Sequence, residues 1–193
     1  MPLKLDTGPT TDAVTYAEAK AWLKLPDDTD QTEVTRLIKM ATAQAEAVSG
    51  MSLITQTWIQ YMDAFPGEIE LQRNPVQSIT HVKYYDTSGD LQTLTASTDY
   101  QSDLVSVPAR IKPARETTWP EVYSDYYNAV EVKFVAGYGD AETDLAALYD
   151  AERIRTGVLK SVAFSYENHG EGTLLKIPDD VMSEWLSFKV NWG

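Results

Sequence analysis

Cysteine is absent from the 193 residues, and histidine is held to two. Without cysteine there are no disulfides, thiolate nucleophiles, zinc fingers or Cys-ligated iron–sulfur clusters, and the composition fits a reducing compartment. Long apolar runs are missing too: none approaches the roughly 20 residues that span a bilayer. Residues 1–15 carry one lysine and no hydrophobic stretch of the signal-peptide kind, so synthesis in the cytoplasm and no membrane partner are the expectations. Cations are scarce. Sixteen Lys and Arg stand against 29 Asp and Glu, for a net charge of −13. Such a chain is poorly equipped to grip nucleic acid through its phosphates, although it can still surround DNA without gripping it. The length allows one domain, or one domain carrying an inserted lobe.

The hydrophobic period changes along the chain. Thr15-Tyr16-Ala17-Glu18 is a capping box that opens a short helix, Tyr16 to Leu25, closed by Pro26. Asp30 and Glu33 repeat the signal ahead of a second helix. Its Val34, Leu37, Ile38, Ala41, Ala45 and Val48 form a stripe of helical period, and Gly50 suits the left-handed position after its end. From Thr57 the period is two. Strands are expected at Thr57–Met62, Glu68–Leu71, Val76–Tyr85, Leu91–Thr95, Arg110–Ile111 and Ala129–Val135, with Asp86–Asp90 as a hairpin turn. Ser97–Val107 and Pro113–Asn128 read as looser stretches. A third helix is expected from about Leu145 to Asn168, with Gly157 as a candidate break and Gly170 and Gly172 at its end. Pro178 starts a last helical segment, with Asp179 and Asp180 well placed in its first turn. The fold class is α+β: an α-helical body of three or four helices, with an antiparallel β lobe inserted at about 55–138.

No constellation for catalysis emerges. His81 and His169 are the only imidazoles, neither accompanies a Gly-x-Ser-x-Gly elbow, and neither has further ligands at metal-binding spacing. Asp86, Ser88 and Asp90 match the first positions of a calcium loop, but Leu91 stands where the glycine is needed and Ser97 where the glutamate is needed. Asp27, Asp28 and Asp30 suit a helix start. Gly137-Tyr138-Gly139 lacks the third glycine of a dinucleotide loop and serves a tight exit from a strand. Tyr84-Tyr85 and Tyr126-Tyr127 have no basic interleaving for nucleic acid, so core or subunit packing is their role. No catalytic, cofactor-binding or metal-binding residue is assigned.

The order of these pieces resembles the head–tail connector (adaptor) proteins of long-tailed bacteriophages and gene transfer particles. The resemblance runs through Thr15–Leu23, the alanine-rich helix to Val48-Ser49-Gly50, Leu53-Ile54-Thr55-Gln56-Thr57-Trp58, Pro75–Ile79, the Tyr84–Leu94 hairpin, Val130–Gly139 and Tyr166-Glu167-Asn168. It covers about residues 14–170. Two departures stand out: the family's Val-Pro pair before the third helix is replaced by Asp144–Tyr149, and the cation ending that helix by His169. The resemblance implies a structural protein of the virion neck, without enzymatic activity or cofactor. Copies of the chain would form a homo-oligomeric ring, usually of twelve, docked on the portal protein. A stopper, head-completion or tail-terminator protein would lie beyond it, and genome DNA would pass through its lumen. A ring needs two different surfaces on each chain. The Ala41–Val48 stripe and the loop bearing Trp119, Tyr123, Tyr126 and Tyr127 are the candidates, with core packing the stronger reading of the stripe. The segment from Thr173 to Gly193 carries Leu174, Leu175, Ile177, Val181, Trp185, Phe188 and Trp192. These are anchors suited to docking on the portal, or to folding back on the helical body. Two alternatives are a stopper or tail-terminator ring, and a carbohydrate-binding or hydrolytic module that uses Trp119 and the tyrosines as a sugar platform.

Overall fold

The change of period near residue 55 is also where one folded unit gives way to another in the computed structural model, which describes residues 2–123, 125–141, 144, 149–168 and 177–190. One unit takes residues 9–54 and 138–190 and is helical; the other takes residues 2–8 and 55–137 and is built of strands. The class is α+β.

In the helical unit, α1 (Tyr16–Leu23) opens as its capping box dictates. The Glu18 amide donates to the Thr15 hydroxyl at 3.2 Å, and the Thr15 amide donates to the Glu18 carboxylate at 2.8 Å. Lys24, left-handed at φ 56°, ends the helix two residues ahead of Pro26. Helix α2 (Gln31–Ser49) ends at Gly50 with φ 76°, as the glycine requires. Its start departs from expectation. Asp30 occupies the cap position, yet its side chain caps no helix amide; it accepts the Tyr166 hydroxyl at the far end of α3 (Tyr149–Glu167), and Glu33 pairs with Arg36 instead. The stripe of α2 is core. Val34, Leu37, Ile38, Ala41 and Ala45 are buried in one cluster with Ile154, Val158 and Val162 of α3, and Val48 packs against its margin. An interface role for this stripe is thereby corrected: its alanines serve the close approach of helices inside the chain.

Helix α3 also overturns the expected break. It runs through Gly157 without interruption, and the expected Leu145 and Leu148 lie outside the described residues. The glycine makes room instead: a Cβ added there would stand 2.4 Å from the indole nitrogen of Trp185. Trp185 belongs to α4 (Asp179–Ser187), which follows Pro178 as expected.

The other unit holds a five-stranded sheet of order β1-β2-β8-β4-β5 and a three-stranded sheet of order β3-β7-β6, antiparallel throughout. The strands are β1 (Leu3–Thr7), β2 (Gln56–Met62), β3 (Ile69–Glu70), β4 (Val76–Tyr85), β5 (Leu91–Leu94), β6 (Tyr100–Asp103), β7 (Arg110–Pro113) and β8 (Val130–Ala136). β8 alternates buried and half-buried residues, and its Val130, Val132 and Phe134 form the centre of the core with Ile69, Leu71 and Ile111. Two buried amides replace ladder bonds between segments. Gln60 donates to the Glu70 carbonyl at 2.8 Å and accepts the Gln72 amide at 3.0 Å; Asn74 donates to the Leu71 carbonyl and accepts the Ala109 amide. Strands β1 and β6 were not expected from the sequence. β1 is short, and β6 reads Tyr-Gln-Ser-Asp with only Tyr100 buried, so neither shows a run of alternating apolar residues.

Candidate functional site

The His81 Nε2 lies 2.7 Å from a Glu131 carboxylate oxygen on the neighbouring strand; His169 lies outside the described residues. The Asp86 carboxylate accepts the Gln92 side-chain amide and then the Asp90 and Ser88 amides, which together lower its pKa. It is the keystone of the β4–β5 hairpin. Among the described residues, no three His, Asp or Glu side chains gather as metal ligands would, and no helix is long and apolar enough to cross a membrane. A depression of about 400 Å³ bounded by Pro2, Met62, Ala64, Phe65 and Pro66 holds one ionisable side chain, Asp63. That carboxylate accepts the Asn128 amide at 2.7 Å.

The aromatic loop divides into an inner and an outer part. Trp119 lies flat on Phe65, with ring centroids 4.6 Å apart and planes 9° apart, and its buried indole N–H meets no acceptor among the described residues. One face of Trp119 is thus covered by the chain's own core. Tyr123 meets Tyr126 edge to face at 5.4 Å, Tyr126 stacks on Tyr85 at 4.7 Å, and the Tyr123 amide donates to the Tyr85 carbonyl. Tyr126 is exposed, and Tyr127 is 88% exposed. Of the four expected interface residues, Tyr126 and Tyr127 are presented to solvent, Tyr123 braces them, and Trp119 packs inward.

The C-terminal segment divides likewise. Val181 and Trp185 are buried in the helical core, and Ile177 and Phe188 pack against it. The Trp185 indole N–H points to the Ile154 carbonyl at 3.4 Å, and the Arg153 guanidinium lies over the Phe188 ring and pairs with Glu184. In this chain these four side chains fold back on the body. Leu174, Leu175 and Trp192 lie outside the described residues.

One exposed feature was not found from the sequence. The turn between β6 and β7 presents Val105, 94% exposed, and Val107, 54% exposed. The Asp103 carboxylate holds that turn: it accepts the Val105 and Ser106 amides, the Ser106 hydroxyl and the Arg110 guanidinium. The Ser106 hydroxyl, then Arg110 and the Ser106 amide, keep its pKa far below the usual carboxylate range. Nothing in the stretch 97–107 announces this by period; only the Asp-x-x-Ser spacing points to a side-chain-stabilised turn. Asp103→Ala, which removes the acceptor of all four bonds, is expected to speed hydrogen exchange at Val105 and Ser106 while lowering the midpoint of urea unfolding only slightly, because the turn is exposed. Exchange at those amides measured by NMR checks this.

No family model matches the chain, and no curated protein matches it. Solved structures do share its fold. A chain of the virion of a native gene transfer agent particle superposes with a TM-score of 0.78, one from the neck of the empty particle computed with six-fold symmetry with 0.77, and one from the neck of the native particle computed with twelve-fold symmetry with 0.74. Each is 20% identical to this chain, and each alignment covers 100% of this chain and 97% of the other.

Proposed function

We propose that this chain is a structural protein of a particle neck: a head–tail adaptor whose copies form a ring beneath the portal and surround the path of the genome. The observation that carries the proposal is the full-length fold likeness to chains of gene transfer agent necks, which takes in both units. Cyclic symmetry in those necks supports a ring of identical copies here. The charge of −13 suits a conduit, because an acidic wall repels phosphates and keeps DNA from adhering. The partners are then the portal on one side, a stopper or tail-terminator on the other, and further copies of the chain within the ring.

The fold-back of α4 narrows the docking segment. With Val181 and Trp185 committed to the core, the contacts assigned to the portal are those of Leu174, Leu175 and Trp192, on either side of the anchored helix. The helical frame favours an adaptor over a stopper or tail-terminator. The sugar-platform alternative is left with one face of Trp119, since Phe65 covers the other.

Sedimentation with portal rings from the same genome tests the proposal. The chain is expected to move into the portal fraction at about one copy per portal subunit. A portal fraction free of the chain at saturating concentration would overturn it.

A further inference from the structure

Among the described residues, the five-stranded sheet ends on two edges that no further strand covers, β1 and β5. Hydrogen bonding in an antiparallel ladder alternates, so the bonds that are printed on one side of a strand fix which groups point the other way. The Asp86 amide donates to the Asp90 carbonyl, which pairs 86 with 90 in the hairpin and leaves Leu91 and Thr93 with amide and carbonyl directed away from β4. The Tyr61 amide donates to the Pro2 carbonyl, which in the same way turns the backbone groups of Leu3 and Leu5 away from β2. At Thr95 the edge closes, because Asp99 takes both of its backbone groups.

Proteins blunt open edges with charge, proline or a bulge. β5 reads Leu-Gln-Thr-Leu and has none of these, whereas β1 carries Lys4 and Asp6 and an irregular register between Leu5 and Thr7, which leaves Leu3 to Leu5 as its regular edge. The core-facing side of the sheet is apolar at both rims. One cross-strand row runs Leu3, Gln60, Val132, Val82, Leu94, so a leucine stands at each end of it, and Leu5 beside Leu3 is 44% exposed. Four successive antiparallel pairings leave β1 and β5 pointing the same way. Copies related by rotation about a ring axis therefore bring β5 of one to β1 of the next in parallel, with Lys4 on the face of Leu91 and Thr93. A two-fold dimer would instead bring β5 to β5, antiparallel.

We propose that β5 of one copy pairs edge to edge with β1 of the next copy, so that the five-stranded sheets run on from subunit to subunit around the ring. This rests on the ring reading above. The neighbour supplies the acceptors and donors that Leu91 and Thr93 lack, and Leu3 and Leu5 extend the apolar row that ends at Leu94.

The absence of cysteine makes the test clean. Lys4→Cys and Thr93→Cys place two thiols on one face of the sheet, since Lys4 lies in the row of Ile59 and Lys133, and Thr93 in the row of Lys83 and Glu131. Within one copy they are four strand spacings apart, about 19 Å, beyond a short bismaleimide, so every crosslink joins two copies. On portal-templated rings the double variant is expected to give a ladder of multimers, and each single variant only monomer. Thr93→Pro removes an outward N–H and no bond to β4; it is expected to keep the urea midpoint and to lose tenfold or more in ring incorporation. Rings that form without a ladder, with Thr93→Pro incorporated like the parent, would overturn the edge pairing and leave the ring reading standing. Dimers from Thr93→Cys alone would overturn it in favour of a two-fold contact. A parent chain that forms no ring on the portal would remove both.

Discussion

Trp185→Ala is expected to cost the helical unit about 3–5 kcal/mol, the range for deleting a large aromatic side chain from a closed core. The indole has no exposed surface and is the largest fully buried side chain among the described residues. It fits because Gly157 carries no side chain at the point of contact, where an added Cβ would approach Nε1 to 2.4 Å, Cε2 to 3.1 Å and Cδ1 to 3.3 Å. Gly157→Ala sets two effects against each other. Alanine gains about 1 kcal/mol of helix propensity, whereas overpacking costs about 1–3 kcal/mol, so a net loss is expected in the parent. In the Trp185→Ala background the clash is gone and Gly157→Ala becomes stabilising. That change of sign, read as the coupling in a double-mutant cycle of urea unfolding, separates a packed notch from a helix weakened by glycine. Gly157→Ala acting alike in both backgrounds would contradict the notch.

Arg155→Ala is expected to cost about 3 kcal/mol, from removing the cation of a buried ion pair and orphaning a buried carbonyl. The side chain of Arg155 is 4% exposed; it donates to the Ala13 carbonyl at 2.7 Å and reaches the carboxylates of Glu18 and Glu152. Both glutamates are partly open to water, which holds the figure at the low end of such losses. Burial pulls the guanidinium pKa down, but the two carboxylates outweigh it and leave it raised. Arg155→Lys is expected to restore less than half, because one ammonium cannot reach three acceptors set around a planar fork.

The same cluster sets an acid response. Burial pushes the Glu18 carboxyl up, while the Thr15 amide, Arg155 and the Thr15 hydroxyl together bring it below its ordinary value. A carboxyl whose pKa is lower folded than unfolded stabilises fully above the unfolded value, near 4.3, and loses that contribution as pH falls through the folded value. The parent should therefore lose stability below about pH 4.3, and Arg155→Ala, in which Glu18 has lost its cation, should lose less over the same interval. Urea midpoints from pH 7 down to 3 check this; equal slopes for the two proteins would count against the cluster.

What the sequence disclosed follows the range of the forces involved. The Thr15 capping box, the Gly50 helix end, the α2 stripe and the Asp86–Asp90 hairpin depend on neighbours a few residues away, and all stand as read. Asp30 misled because the competitor for its carboxylate is Tyr166, 136 residues away. Gly157 reads as a weak point of a helix until Trp185, whose indole N–H meets α3 31 residues upstream, is set against it. The aromatic candidates show the same limit. Composition marks Trp119 and Tyr127 equally, yet Phe65 covers one face of the first while the second stands exposed. The open edges of β1 and β5 were beyond reach because an edge exists only once the order of strands is known.

The most direct test of the adaptor account is electron microscopy of the full chain mixed with portal rings from the same genome. The account predicts added density at the portal's outer mouth, with the portal's rotational symmetry, into which both units fit. Bare portals at saturating protein, or density that lacks the portal's symmetry, would contradict it.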